Sequence, residues 1–479
     1  MPESLKTRMI LPLVTAAALV LIVCGGQQQA VAPASPTSSP PTSTPAPTQP
    51  VTPFPPSPTP IPPTPTATAV PPSPTSTPLP PTPTATTVPA PPAQATDTLL
   101  EEKTFAFLEH LTAEFSPRES ATDEELAAAH FLRNKMEDLG YDVYIQDFEV
   151  TKPFAEVSFA RAPDADSDGI ETLPIWGSIE GTGTGTLADA GKAFEEDIPN
   201  GGLDGKVALI ERGTITFQEK VTRVAEAGAV AAIIFNNGEG NFRGALRSQS
   251  NIPAVSLTRA DGLDMLALMD EAGISAEVSV GTRPFPSRNV ISEKPGGSES
   301  RGTVVVGAHY DTTPDTQGAN DNGSGLSVVI TMAELTADTE YPFTLKFVLF
   351  GAEEIGLFGS RYYVDALTEQ DIEDTIAMLN FDVPGSGERL DFVGSRELTD
   401  YATDIAADIG AKAANAGLPE GVGSDHTPFH EAGIPVIFIL ADDLSRINSP
   451  RDDIEWINPT LMGWASDIGI QLLDRLAEN

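Results

Sequence analysis

Three segments of this 479-residue chain place polar side chains directly after an apolar run. Thr303-Val304-Val305-Val306-Gly307 leads into Ala308-His309-Tyr310-Asp311. Thr344 to Phe350 leads into Gly351-Ala352-Glu353-Glu354, and Ile376 to Phe381 leads into Asp382. A fourth segment, Gly318-Ala319-Asn320-Asp321-Asn322-Gly323-Ser324-Gly325, presents Asp321 in a glycine-rich loop. Such a loop can cradle phosphate, but it has no lysine and its acid would repel the anion. It suits a cation better. The chain has one cysteine, Cys24, and five histidines, so a metal would be held by His, Asp, Glu or Asn. One imidazole with three or four carboxylates suits zinc, with manganese or cobalt as alternatives.

The chemistry of such a set follows from its parts. If Asp321 bridges two metals, a shared water becomes a hydroxide near neutral pH, and the pair clamps a carbonyl oxygen. Glu353 and Glu354 sit on a strand-to-helix turn and can point differently, so one can ligate while the other takes a proton from water. His309 needs an acceptor to set its tautomer, and Asp311 is two residues away. Each feature has an ordinary explanation by itself. A Glu-Glu pair is usually a solvated face, an Asp-Asn-Gly a turn, and a histidine near a strand end structural. Their joint occurrence at strand ends argues for one site.

The elements that must position these residues are apolar strands alternating with helices. That pattern predicts an α/β fold: three layers, with a mostly parallel mixed sheet covered on both faces. Ligands in such sheets bind beyond the carboxyl ends of the strands, where all the polar clusters fall. Leu99 to Phe115 reads as a helix. A second begins at Thr122, with Thr122 and Glu125 as a capping box, and ends at Gly140. Tyr141 to Val150 alternates as a strand. His110 and His130 fall within these helices and receive no role.

The composition bounds the partners. A net charge of -40 argues against nucleic acid and against a basic membrane-binding patch. Lys6 and Arg8 precede an apolar run, Met9 to Val23, which reads as an export signal and is short for a stable membrane span. Leu21-Ile22-Val23-Cys24-Gly25-Gly26 resembles a bacterial lipobox, which implies lipidation of Cys24; the alternative is an uncleaved anchor. From Ala30 to about Gln94 the chain is Pro, Thr, Ser and Ala, predicting an extended linker of roughly 3 Å per residue. The expected organisation is a leader at 1–24, a linker at 25–96, and a catalytic body split into 97–152 and 286–479. The expected location is outside the cytoplasm, at the cell surface or membrane.

Asp204 to Gly281 has its own character, within an expected domain at 153–285. Gly205 to Gly213, Glu219 to Val221 and Ala227 to Ala229 resemble the protease-associated (PA) domain. The expected PA strands are Lys206–Ile210, Val230–Phe235 and Ile252–Leu257, with a helix from Phe217 to Gly228. The resemblance implies a role in covering the active site or in substrate access.

His309-Tyr310-Asp311, the loop around Asp321, Gly351-Ala352-Glu353-Glu354, and Asn380-Phe381-Asp382 together resemble the M28 metallo-aminopeptidases. Ser424-Asp425-His426-Thr427-Pro428-Phe429 followed by Gly433-Ile434-Pro435 does too. The resemblance implies peptide substrates and two zinc ions. It implies that His309 and Asp382 ligate one zinc, that Asp321 bridges, and that Glu354 ligates the second. Glu353 would be the general base and Asp311 would orient His309. His426 would lie in a loop that shapes the substrate site. The family's last ligand is a histidine in a Tyr-His-Ser/Thr-x-x-Asp context, and here Asn448 stands in its place, within Ile447-Asn448-Ser449-Pro450-Arg451-Asp452. The position served by Glu354 is then weakened, empty or filled by a harder ion. His430, one helical turn from His426, is either a substitute donor or, the preferred reading, a surface or packing residue. The implied activity is an aminopeptidase. A one-metal relative (glutaminyl-cyclase-like or carboxypeptidase-like) and a catalytically weak binding protein are the other readings.

Overall fold

The computed structural model describes residues 98–160, 170–271, 274–297, 300–418 and 423–478. The expected leader, Cys24 and the Pro/Thr-rich linker lie outside the described residues. No helix among the described residues is long and apolar enough to cross a membrane.

The frame of the catalytic body is four parallel strands in the order Val436–Ala441, Thr375–Phe381, Thr303–His309 and Thr344–Phe350. Antiparallel neighbours complete the sheet, with Leu390–Gly394 on one side and Ser275–Lys294 on the other. Helices cover both faces, and the side-chain period of two divides the strand residues between them. Val304, Val306, Phe347 and Leu349 pack on one face with the helices Thr98–Glu114, Gly325–Thr336 and Pro459–Glu478. Val305, Val348, Phe350 and Met378 pack on the other with Phe358–Asp365 and His426–Glu431. This is the expected three-layer arrangement, and burial of both faces explains why the strands are apolar throughout.

Register brings the strand ends level. Gly307 lies opposite both Val348 and Asn380, and His309 lies opposite Phe350. Two residues beyond Asn380, Asp382 therefore emerges beside His309, and Gly351 to Glu354 follow directly on Phe350.

The strand expected to end at Val150 instead runs from Asp142 to Ala160. It pairs along its whole length with Ser275–Lys294, from Asp142 opposite Glu293 to Ala160 opposite Ser275. The continuous backbone partner explains the extension: each further residue finds its ladder bonds already provided. This ribbon leads from the catalytic sheet to a smaller body with parallel strands Gly181–Asp189, Val207–Glu211, Ala231–Phe235 and Ala254–Leu257. The helix Phe217–Glu226 carries a full capping box between Thr216 and Glu219. Arg243 of this body pairs with Glu119 at 2.7 Å and Asp315 at 3.5 Å, tying it to the rim of the catalytic body.

The expected capping box at Thr122 forms only in half. Thr122 accepts from the Glu125 amide, but the Glu125 carboxylate accepts from the amides of Ala121 and Ala352 and from Ser287. The acid is buried, and these donors outcompete the local return bond. Burial and the nearby Asp311 raise its pKa to about 8.

Candidate active site

The strand ends converge on His309. Its Nε2 lies 3.2 Å from Asp382 Oδ1, 3.3 Å from Asp321 Oδ1 and 3.9 Å from Glu353 Oε2. His309, Glu353 and Asp382 form a cluster whose ligand atoms lie within 4.8 Å of one another. Of the expected site residues, His309, Asp321, Glu353 and Asp382 thus lie together.

Asp311 supports this cluster in a manner only partly expected. His309 Nδ1 is 3.2 Å from the Asp311 backbone carbonyl and 3.5 Å from its carboxylate. The carboxylate accepts from Ser120 Oγ at 2.5 Å, from the Glu353 amide at 3.0 Å and from the Glu354 amide at 3.2 Å. Asp311 therefore holds the imidazole and the turn bearing both glutamates. An Asp311→Asn variant loses one acceptor oxygen and is expected to lower zinc affinity or turnover 10- to 100-fold, roughly the effect of removing such a support. Zinc titration and steady-state assays check this.

The loop carrying Asp321 is fixed by two other residues. Asn322 donates to the Phe381 carbonyl at 2.9 Å and accepts from the Gly325 amide at 2.9 Å. Gly325 is needed because a Cβ there would lie 2.2 Å from the Phe381 carbonyl. Asp452 accepts from the amides of Asn320 and Asp321 at 2.8 and 2.9 Å. Asp452 was visible in the sequence only as part of a motif context, and the structure gives it this function.

Arg118 had no signal in the sequence. It is fully buried and donates to the backbone carbonyls of Tyr310 at 2.7 Å and Gly318 at 3.0 Å. It thereby clamps the His309 strand end to the Asp321 loop. Burial lowers its pKa to about 10, although Asp311, Asp452, Asp321 and Glu354 all favour its charge.

The electrostatics are those of crowded acids. Burial first, then Asp321, raises Glu354 to about 9. Burial pushes Glu353 well above the carboxylate range, with Asp425, Asp382 and Glu354 adding to it against the pull of His309. Burial also raises Asp321. Asp382 is equally buried, but His309 outweighs that and keeps it low. Burial opposes a charge on His309, but Asp382 and Glu353 overcome it and raise its pKa well above normal. A divalent cation would neutralise this surplus of acid, and one imidazole with several carboxylate oxygens fits zinc.

Asn448 lies beside Glu354. With its amide oriented to donate, its nitrogen is 3.1 and 2.8 Å from the two Glu354 oxygens. His430 is exposed on the helix His426–Glu431 and does not join the metal-capable cluster.

His426 is not in a loop, as expected, but opens that helix. Its ring stacks on Phe438 at 4.7 Å, which is how the segment from Ser424 is anchored to the sheet. Burial lowers its pKa to about 4 against the opposing influence of Asp382. The preceding Asp425 is fully buried, and burial raises it to about 7 although His309 and Ser360 favour its charge.

Beside these residues lies an apolar cluster: Val383, Phe438 and Leu440, with Val393, Leu418 and Ile447 against it. Val383 follows Asp382, and Ile447 precedes Asn448.

Comparison with known proteins gives the family. Residues 289–473 match peptidase family M28, and residues 181–265 match the PA domain. Aminopeptidase YwaD of Bacillus subtilis (strain 168) is 31% identical over 384 residues, covering 76% of this chain and 82% of that relative. Leucine aminopeptidase 2 of Arthroderma otae is 34% identical over 195 residues, 40% of this chain and 39% of the relative. Among solved structures, BSAP, a zinc aminopeptidase from Bacillus subtilis, superposes with a TM-score of 0.53 at 28% identity, covering 78% of this chain and 95% of that one. The aminopeptidase from Aneurinibacillus sp. strain AM-1 gives a TM-score of 0.50 at 28% identity, covering 79% and 93%. With its strand-end cluster, its fold and this coverage of a relative, the chain belongs to peptidase family M28 and carries a PA domain within its peptidase body.

Proposed function

We propose that this protein is a zinc-dependent aminopeptidase that removes N-terminal residues from peptides. The observation that carries the reading is the buried His309 ringed by Asp321, Asp382 and Glu353 at level strand ends. The names of the similar proteins support it.

His309, Asp382 and Asp321 would hold the first zinc, and Asp321 and Glu354 face the second position. Zinc, when bound there, acidifies water and polarises the scissile carbonyl. Glu353 stands beside His309 without being needed to set its tautomer, so it is the group to accept the proton from the attacking water and pass it to the leaving amine. The Asp311 carbonyl holds the proton on His309 Nδ1, which leaves Nε2 as the electron-pair donor. The surplus of acid attracts the ammonium of a free N-terminus. The test is hydrolysis of aminoacyl chromogenic substrates by the purified protein with zinc, against the chelated protein and N-acetylated peptides. Cleavage of N-acetylated peptides at equal rates would refute an aminopeptidase.

Ile447, Leu418 and Val393, the partly buried members of the apolar cluster next to Asp382 and Asn448 in the chain, support a preference for apolar N-terminal residues. Leucyl substrates are expected to exceed glycyl ones in kcat/KM by roughly 10- to 100-fold, the equivalent of burying a leucine side chain. A panel of aminoacyl substrates measures this, and Ile447→Ala should narrow the gap.

We place the body outside the cytoplasm, anchored through Cys24, on the basis of the basic and apolar segment before that residue. In cell fractionation, Cys24→Ser is expected to move activity from the membrane to the soluble extracytoplasmic fraction. Cytosolic activity in the wild type would refute the placement.

A further inference from the structure

Asn448 is the donor that distinguishes the two halves of the centre, and it lies at the exposed edge of the site. Its backbone is held at φ +54, a left-handed conformation that asparagine tolerates better than most residues. The turn around it is pinned on both sides. The Ser449 carbonyl accepts from Thr316 Oγ1 at 3.1 Å and from the Asp452 amide. Asp452 in turn holds the amides of Asn320 and Asp321. The turn that carries Asn448 is thus tied to the Asp321 loop, and the exposed Asn448 side chain lies against Glu354.

An amide in that place has two faces. Turned one way, its NH2 donates to both Glu354 oxygens. Rotated by half a turn, the amide would offer its carbonyl oxygen to a cation held by Glu354. The donors on this half, Asp321, Glu354 and Asn448, then offer oxygen alone. The other half has the His309 imidazole. Imidazole favours zinc, whereas carboxylate and carbonyl oxygen suit manganese, magnesium or calcium.

We infer that this is a mixed-metal centre, in which the His309–Asp382 half selects zinc and the Glu354–Asn448 half selects a hard, oxygen-seeking divalent cation. The inference rests on the zinc-peptidase reading of the same site. Asn448 acts as a selectivity switch: its amide group rotates to hydrogen-bond Glu354 when no ion is bound and turns its oxygen inward when one is.

The test is metal content and calorimetric titration of the full chain, first with Zn2+ and then with Mn2+. One tightly held zinc is expected per chain, followed by one Mn2+ that excess zinc displaces poorly. Asn448→His is expected to bring a second tight zinc. Exchange of a supporting residue already changes metal affinity by 10- to 100-fold, so this ligand exchange should raise second-site zinc affinity at least about 100-fold. Asn448→Asp keeps an oxygen donor and adds charge, so it should tighten Mn2+ while leaving the preference over zinc intact. Two equally tight zincs in the wild type would overturn the inference. So would one zinc with no binding of Mn2+, Mg2+ or Ca2+. The outcome is separable from the activity reading. Zinc and Mn2+ bound without peptide cleavage would leave the inference standing and remove the aminopeptidase reading. Cleavage by a protein holding one zinc and no second ion would do the reverse.

Discussion

Glu353→Gln is expected to lower kcat about a thousandfold, the middle of the range for loss of a positioned general base. That corresponds to about 4 kcal/mol of transition-state stabilisation. Glutamine keeps the shape of the side chain, and the backbone amide bond to Asp311 is unaffected. KM and zinc content should therefore stay close to wild type, because the lost interaction belongs to the transition state. Steady-state kinetics with elemental analysis on the same sample check this. A loss under tenfold, with zinc retained, would mean that Glu353 is not the base. The corresponding change at Glu354 is expected to act on second-site metal content instead, since that carboxylate faces Asn448 and the Thr313 amide.

Arg118→Met is expected to destabilise the fold by about 3–5 kcal/mol, the cost of removing one partner from a buried ionic network. Methionine approximates the arginine stem but leaves the carbonyls of Tyr310 and Gly318 without their donor. It also removes a buried positive charge that faces Asp311, Asp452, Asp321 and Glu354. Urea unfolding of the metal-free protein measures the change. Adding zinc should recover part of the loss, since a bound cation opposes the same repulsion and ligand binding stabilises the folded state. An Arg118→Met protein as stable as wild type would show that these carbonyls and acids are satisfied in some other way.

Much of the site was legible because strand ends announce themselves. Runs such as Thr303–Gly307 and Thr344–Phe350 cannot be solvated, so they must lie within a covered sheet, and the first polar residues after them must emerge at its edge. The identities of His309, Asp321, Glu353, Glu354 and Asp382, and the oxygen-rich character of the set, follow from the chain directly. The β-branched and small residues of the smaller body likewise marked its strands in the sequence.

Other features depended on contacts between distant residues. Arg118 meets Tyr310 across 192 positions, and no local periodicity could pair them. Glu125 read as a local cap because its spacing from Thr122 is right, but a buried carboxylate takes whatever donors the tertiary structure supplies, here Ala352 and Ser287. Strand Asp142–Ala160 lengthened because its partner strand continued beside it. His426 opens a short helix, with its ring stacked on Phe438 of the neighbouring strand.

By itself, the sequence determined the donor types, their order and the parallel frame that exposes them, because burial and side-chain period act locally along the chain. It left open which of the two adjacent glutamates faces His309 and where Asn448 would fall. Only the tertiary structure decided that Glu353 stands 3.9 Å from His309 Nε2 and that Asn448 reaches Glu354. The physical reason is that a turn can direct successive side chains either way, and the choice belongs to the amides of Glu353 and Glu354 bonding to an aspartate more than 40 positions away.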